Sequence, residues 1–424
     1  MLAATLSLGS SRLDSPREVE AHAIEIEEAR ELVLEHVSPL ASENVELHAA
    51  LGRVLAEAVE SAGDVPAFDG SAMDGFAVRA ADTRGAGRDA PVTLRTVDES
   101  RAGRPAARSV EPGLAIAIST GAAMPDGADA VVRVEDTRST ADSVEVVAEV
   151  PAGRDVRYAG EDIRAGAVVC QSGTRLGPAE LGVLASVGRS SLNCHRRPRV
   201  RVLTTGDELL DPDEELRPGA VRNTNAYAIP ALAQRAGAEV VGLGSAPDQL
   251  DATRAAIVEA LASDVAVICG GVSVGAHDHV KRALAELGVQ QRFWRVALRP
   301  GGPTWFGNHA DGVVFGLPGN PVSAMVTFIL FVNPALLVLG GGRPQRRRTT
   351  AVLDRGYEKT PGRAHAIRCR IELREDGWHV DPFERQGSHV LTSMLGAGAL
   401  AIIPAASTHV PAGSRVEIEL LGDG

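Results

Sequence analysis

"VAVICGGVSVGAHDHVKRAL", residues 265–284, passes from an apolar strand through a glycine-rich turn into a helix, with Asp278 between His277 and His279 where the helix begins. One reading is a turn and a cap. Gly supplies φ > 0 in turns, and an Asp carboxylate accepts hydrogen bonds from the open amides of a first helical turn. The other reading is an anion cradle, in which Gly270, Gly271 and Gly275 let backbone amides approach a phosphate and Ser273 adds a hydroxyl. "GGVSVG" is neither a Walker loop, since no Gly-Lys-Ser or Gly-Lys-Thr follows, nor the dinucleotide fingerprint.

Around this stretch, residues 199–341 alternate "VRVLTTG", a helix at "AYAIPALAQRAG", "EVVGLGS", the helix "DQLDATRAAIVEALAS", "DVAVICG", the helix "HVKRALAELG", "VVFGLPG" and a long last helix. Strand and helix taking turns is the pattern of a doubly wound, mostly parallel α/β domain. Before it, residues 26–37 show helical spacing of apolar positions and "ALGRVLAEAV" (50–59) reads as a second short helix. Residues 63–150 read as a small β-rich domain, with 25–62 and 151–196 as a discontinuous linking α/β region that contains a helix at "GPAELGVLASVG". Residues 342–424 read as a small C-terminal β domain resembling a barrel, and residues 1–24 as a flexible extension.

In open parallel sheets ligands bind beyond the C-terminal strand ends. Three segments place acids there: "TGDEL" with Asp207 and Glu208, the segment after "EVVGLGS" with Asp248, and the glycine turn with Asp278. If the three strands are neighbours, the carboxylates converge and require a cation, and oxygen-only ligands suit Mg²⁺. Asp248 and Asp278 also read as helix caps. His277 and His279 carry a weaker zinc reading, without a Cys or a third spaced His to complete it. Lys281, Arg282 and Arg299 are candidate counter-charges, with ordinary solvated helix residues as the other reading of the first two. "GLPGNPVSA" adds a tight turn with Asn320 as a cap.

A formal charge of −12 with 3% aromatic residues argues against nucleic acid as the main partner. The longest apolar stretch, residues 322–340, is interrupted by Asn333 and Pro334. It reads as a core helix with a kink, not a span of about 18 apolar residues. The N-terminus lacks a basic region followed by an apolar block, so a cytoplasmic location is expected. Four cysteines without paired spacing read as buried hydrophobes. Two basic runs, at 196–201 and 343–348, read as solvated linkers.

"FDGSAMDGFAV", "STGAAMPDGADAVV", "GEDI", "TTGDEL", "GGVSVGAHD", "RPGGP", "GLPGNPVSA" and "QGSH" stand in one order along the chain. From about residue 25 onward this resembles the molybdopterin molybdenumtransferases, the molybdenum insertases that include MoeA and the C-terminal domain of gephyrin. The resemblance implies a homodimer with its active site between the α/β, molybdopterin-binding domain of one subunit and the N-terminal domains of the other. It implies adenylylated molybdopterin and molybdate as substrates, Mg²⁺ as cofactor and AMP as a product. Molybdopterin adenylyltransferase and molybdoenzyme chaperones are implied further partners.

Carried over by position, Glu208, Asp248 and Asp278 stand around phosphates and metal. Asp207 and the Gly270–Gly275 loop (Gly271 and Ser273 included) hold the pterin nucleotide, and Thr205, Gly206, Asn225, Lys281, Arg299 and Gly301 are further substrate-binding positions. Thr120, Ser388, Pro318 and Pro321 complete the pocket, while Asp74 and Asp162 reach in from the partner subunit. Two departures stand out: Gly302 where many members carry lysine, with Arg299 for lysine at the start of that motif, and Gly70 where Asn is usual. The sister adenylyltransferases share the α/β domain but are short, with a different glycine loop. A nonenzymatic molybdopterin-binding or scaffold protein on the same fold is the remaining alternative.

Overall fold

The computed structural model describes residues 23–272, 279–310, 312–344 and 348–422. Ser273, Gly275, His277 and Asp278 lie outside the described residues, as does nearly all of the N-terminal extension. The chain forms two compact units, Ser42–His195 and the remainder.

In the larger unit, helix α1 (Ile26–Glu35) is followed by β1 (Arg199–Thr205), α2 (Asn225–Arg235), β2 (Glu239–Ala246), α3 (Leu250–Ala260) and β3 (Val265–Cys269). Then come α4 (His279–Glu286), β4 (Gln290–Trp294), β5 (Trp305–His309), β6 (Gly312–Leu317), α5 (Pro321–Thr327) and α6 (Asn333–Leu339). The sheet order is β2-β1-β3-β6-β5-β4. Its first four strands are parallel, whereas β5 and β4 are antiparallel additions. Alternate strand residues feed opposite faces: Val200, Val202, Val265 and Val267 pack with α1, α2, α5 and α6, and Leu203, Ala266 and Ile268 with α3 and α4. Each buried Val, Leu or Ile among them stabilises the fold by about 1.5–3 kcal/mol.

Ile26, Ala29 and Val33 of α1 enter this core, so the segment before Ser42 goes with the α/β unit and not with residues 42–62. Arg30 anchors it, donating to the Leu330 carbonyl and to Glu419 Oε2, both at 3.0 Å. Between α5 and α6 lies a π-helical turn, Phe328–Val332. Pro334 has no N–H for the α-helical ladder at that point, which accounts for the local change of hydrogen bonding. The apolar run is mostly buried within the unit. The basic runs are not simply solvated: Arg196 forks onto Asp264 at 2.6 and 2.7 Å, and Arg348 meets Glu419 at 3.3 Å.

The C-terminal strands close on themselves. Ala364–Arg374 pairs with both Gly377–Pro382 and Ala399–Ile403, and Arg348–Leu353 and Arg415–Leu420 complete a five-stranded barrel around Leu353, Ile367, Val380 and Ile418. The short strand Leu298–Arg299 joins it alongside Ala364 and His365.

The smaller unit contains a six-stranded sheet built from Gly75–Val78, Val92–Ser100, Leu114–Ile118, Ala130–Arg133, Thr137–Ser139 and Ser143–Val146. The helix at Pro178–Ser186 follows the sequence pattern. The helix expected at 50–59 does not form. Gly52 sits at φ 74°, and Val54 and Leu55 bridge to Arg175 and Cys194, so extended pairing displaces the helix.

Candidate active site

Strand β1 lies between β2 and β3, and Thr205 is level with Ala246 while Thr204 is level with Cys269. The three acid-bearing loops therefore leave the sheet from one edge, around the point where the chain reverses its direction of winding. A cavity of about 860 Å³ opens there, with Thr205, Gly206, Glu208, Asn225, Asp248, Gly270, Gly271, Pro318 and Pro321 in its wall. Glu208 and Asp248 are brought together; Asp278 lies outside the described residues.

Asp248 does not cap α3, whose N-cap is Gln249 with no side-chain cap bond. Its amide donates to Asp207 Oδ1 at 3.1 Å, which ties the first two loops. Asn320 occupies the N-cap position of α5 but does not cap either; its Nδ2 donates to Ser388 Oγ at 3.2 Å. Asn225 Nδ2 donates to the Gly319 carbonyl at 2.8 Å. Gly270 (φ 99°) and Gly271 (φ 63°) pass closely beneath β1, where a Cβ on Gly270 would stand 2.8 Å from the Thr205 carbonyl and hydroxyl oxygens. These two glycines thus have a packing reason of their own. Thr205 Oγ1 and Asn225 Oδ1 are buried without a hydrogen-bond partner among the described residues. Both residues line the cavity, so a bound ligand is the natural source of the missing bonds.

Other expected residues lie elsewhere. Lys281 holds its ammonium 3.8 Å from the Trp294 ring centroid, and Arg282 donates to Glu286 at 2.8 Å along the helix. Gly301 lies against the side chains of Thr327 and Leu298. In the smaller unit the Thr120 amide and hydroxyl donate to Asp74 Oδ1 at 2.7 and 3.1 Å; Asp162 is exposed. All four cysteines are buried, and burial pushes Cys269 up to about 12. Among the described residues no group of three His, Cys, Asp or Glu is placed to hold a metal.

Arg299 lines a second cavity, of about 400 Å³, with Lys359, His365, Arg368 and Gln386. Sequence reading missed these four. Arg368 is fully buried in the barrel wall. Its Nε donates to Ser393 Oγ at 3.1 Å and its Nη2 to the Gly387 carbonyl at 3.2 Å, while Nη1 has no partner among the described residues. Burial, then the fields of Lys359, Arg299 and Arg363, hold His365 down at about 4. The unfolded chain then takes up this proton before the folded one does. Stability is expected to fall as pH drops from about 6.5 to about 4, by at most ~3 kcal/mol. Melting temperatures across that range would show it, and His365→Gln should flatten the slope.

Three family models tile the chain: the MoeA N-terminal region (domain I and II) over residues 24–188, a probable molybdopterin binding domain over 201–338 and the MoeA C-terminal region (domain IV) over 350–421. The molybdopterin molybdenumtransferase of Haemophilus influenzae is 34% identical, covering 93% of this chain and 98% of its own length; that of Bacillus subtilis is 36% identical over 90% of each. The chain belongs to the molybdopterin molybdenumtransferase family. Membership makes it a transferase of molybdenum cofactor biosynthesis. A solved molybdopterin biosynthesis MoeA protein from Pyrococcus horikoshii superposes with a TM-score of 0.80 at 31% identity, covering 95% of this chain and all of the other.

Proposed function

We propose that the chain inserts molybdenum from molybdate into adenylylated molybdopterin, with Mg²⁺-dependent hydrolysis of the phosphoanhydride and release of AMP. The observation that carries this reading is the meeting of Glu208 and Asp248 in one cavity with the Gly270–Gly271 turn. The Gly270 amide donates to the Leu317 carbonyl, so the Gly271 amide is the one this turn would offer a phosphate, and two carboxylates beside it need a cation.

The donor set fits Mg²⁺: Glu208 and Asp248 offer hard oxygen ligands, and Asp278 would be the third. When bound, the ion offsets phosphate charge and polarises the bond to be broken. Thr205 and Asn225, whose side-chain oxygens are unpaired among the described residues, would orient the pterin nucleotide, and Asp207 would keep the Asp248 loop in place. Water adds at phosphorus and AMP leaves, molybdopterin keeps its own phosphate, and its two dithiolene sulfurs bond to molybdenum as one molybdate oxygen departs with the two thiol protons as water. Arg299 and Arg368 would hold molybdate in the second cavity, since a guanidinium pairs well with an oxyanion. The proposal extends to a cytoplasmic homodimer in which Asp74 and Asp162 of one subunit complete the site of the other.

Purified protein with Mg²⁺, molybdate and adenylylated molybdopterin is expected to release AMP, measured by chromatography of the quenched reaction. Binding of that substrate with AMP release no faster than in buffer would refute the reading and favour a molybdopterin-binding scaffold.

A further inference from the structure

The larger cavity has an unbalanced wall. Among the described residues it carries Glu208 and Asp248 and a single permanent cation, Arg222. Residues 273–278 add no lysine or arginine. The cations that sequence alone suggests are placed otherwise, Lys281 over Trp294 and Arg299 in the smaller cavity. A ligand bearing phosphate would meet like charge from two carboxylates, so the position of Arg222 decides whether the wall attracts it.

That position is fixed from behind. Arg222 ends the short strand Val221–Arg222, level with Leu210. Its Nη1 donates to the carbonyls of Asp211 and Glu214, at 2.6 and 2.5 Å. Carbonyls orient the guanidinium without neutralising it, and among the described residues the side chain's hydrogen bonds are these two, both from Nη1. One edge of the fork is therefore satisfied, and Arg222 is a half-buried residue of the cavity lining. Holding a long side chain in its bound geometry lowers the entropy lost when a ligand arrives.

We propose that Arg222 recognises the phosphate of the nucleotide half of the substrate, through a charge-assisted hydrogen bond from the free part of its guanidinium to a nucleoside 5′-monophosphate oxygen. The inference rests on the reading of this cavity as the nucleotide site. Its chemical class of ligand is an adenosine phosphate, and adenosine is the matched control because it lacks only the charged group.

The test is equilibrium binding of AMP and of adenosine by titration calorimetry, without divalent metal, to wild type, Arg222→Gln and Arg222→Lys. Wild type should favour AMP over adenosine, with the preference shrinking as salt rises. Arg222→Gln should lose about tenfold or more in AMP affinity, the scale of one charge-assisted bond, and keep its adenosine affinity. Arg222→Lys should keep part of the preference as a point charge. An unchanged AMP-to-adenosine ratio in Arg222→Gln would overturn the assignment while leaving the nucleotide reading of the cavity intact. Equal loss of both ligands, with faster proteolysis of the 211–222 loop, would make Arg222 a loop brace and overturn it too. Wild type that binds neither ligand would sink the nucleotide reading and this assignment together.

Discussion

Glu208→Gln and Asp248→Asn are each expected to slow AMP release by a factor of about 100 or more while moving the melting temperature by no more than about 2 °C. Both side chains are exposed to the cavity, and neither carboxylate anchors the core. The amide replacements keep shape and remove charge, so whatever depends on a cation between them is lost while packing is not. Asp248 is the more informative of the two. Its cap reading is excluded by Gln249, which leaves its carboxylate no structural duty at α3. Single-turnover AMP release and thermal melts on the same preparations would decide. Stability lost with turnover kept would return both residues to ordinary loop acids. Asp207→Asn is the control for loop position: its Oδ1 accepts from the Asp248 amide, and an amide oxygen preserves that bond.

How much of this was legible in the sequence depends on whether a feature is local. The alternation in residues 199–341 announces the α/β layer because each strand and helix carries its own period, and the acids follow from where those strands end. The pair β4 and β5 was not legible, since "QQRFW" is polar at its start and gains its place only by joining β6 through β5. The false helix at 50–59 has the opposite cause. Leu51, Val54, Leu55 and Val59 do fall at helical spacing, but Leu51 is exposed while the others are buried, and a left-handed Gly52 with β-bridges to Arg175 and Cys194 overrides the pattern. Arg368 escaped notice because its surroundings come from barrel closure, which joins residues 299, 359, 365, 368 and 386 from separate segments. The one local signal was an arginine flanked by Ile367 and Cys369 in a strand whose neighbours are apolar.

Arg368→Met is expected to raise the molybdate concentration giving half-maximal AMP release by about tenfold or more, with little change in the limiting rate. Met nearly fills the side-chain volume but carries no charge, so the substitution separates oxyanion binding from packing. Two hydrogen bonds, to Ser393 and Gly387, are lost. Against that, a buried guanidinium with one nitrogen unpaired among the described residues is removed, and these effects are of similar size, about 1–3 kcal/mol each. The melting temperature should therefore stay within a few degrees, in contrast to Arg368→Ala, which leaves a hole at a fully buried position level with Leu400 on the next strand and is expected to cost about 2–5 kcal/mol. Arg299→Met should weaken molybdate less, because Arg299 is exposed and its charge is screened by water. Molybdate titrations at fixed substrate, repeated with sulfate as competitor, measure both. If Arg368→Met leaves the molybdate dependence unchanged and instead unfolds the barrel, the buried arginine is a structural strut and the oxyanion must be held elsewhere.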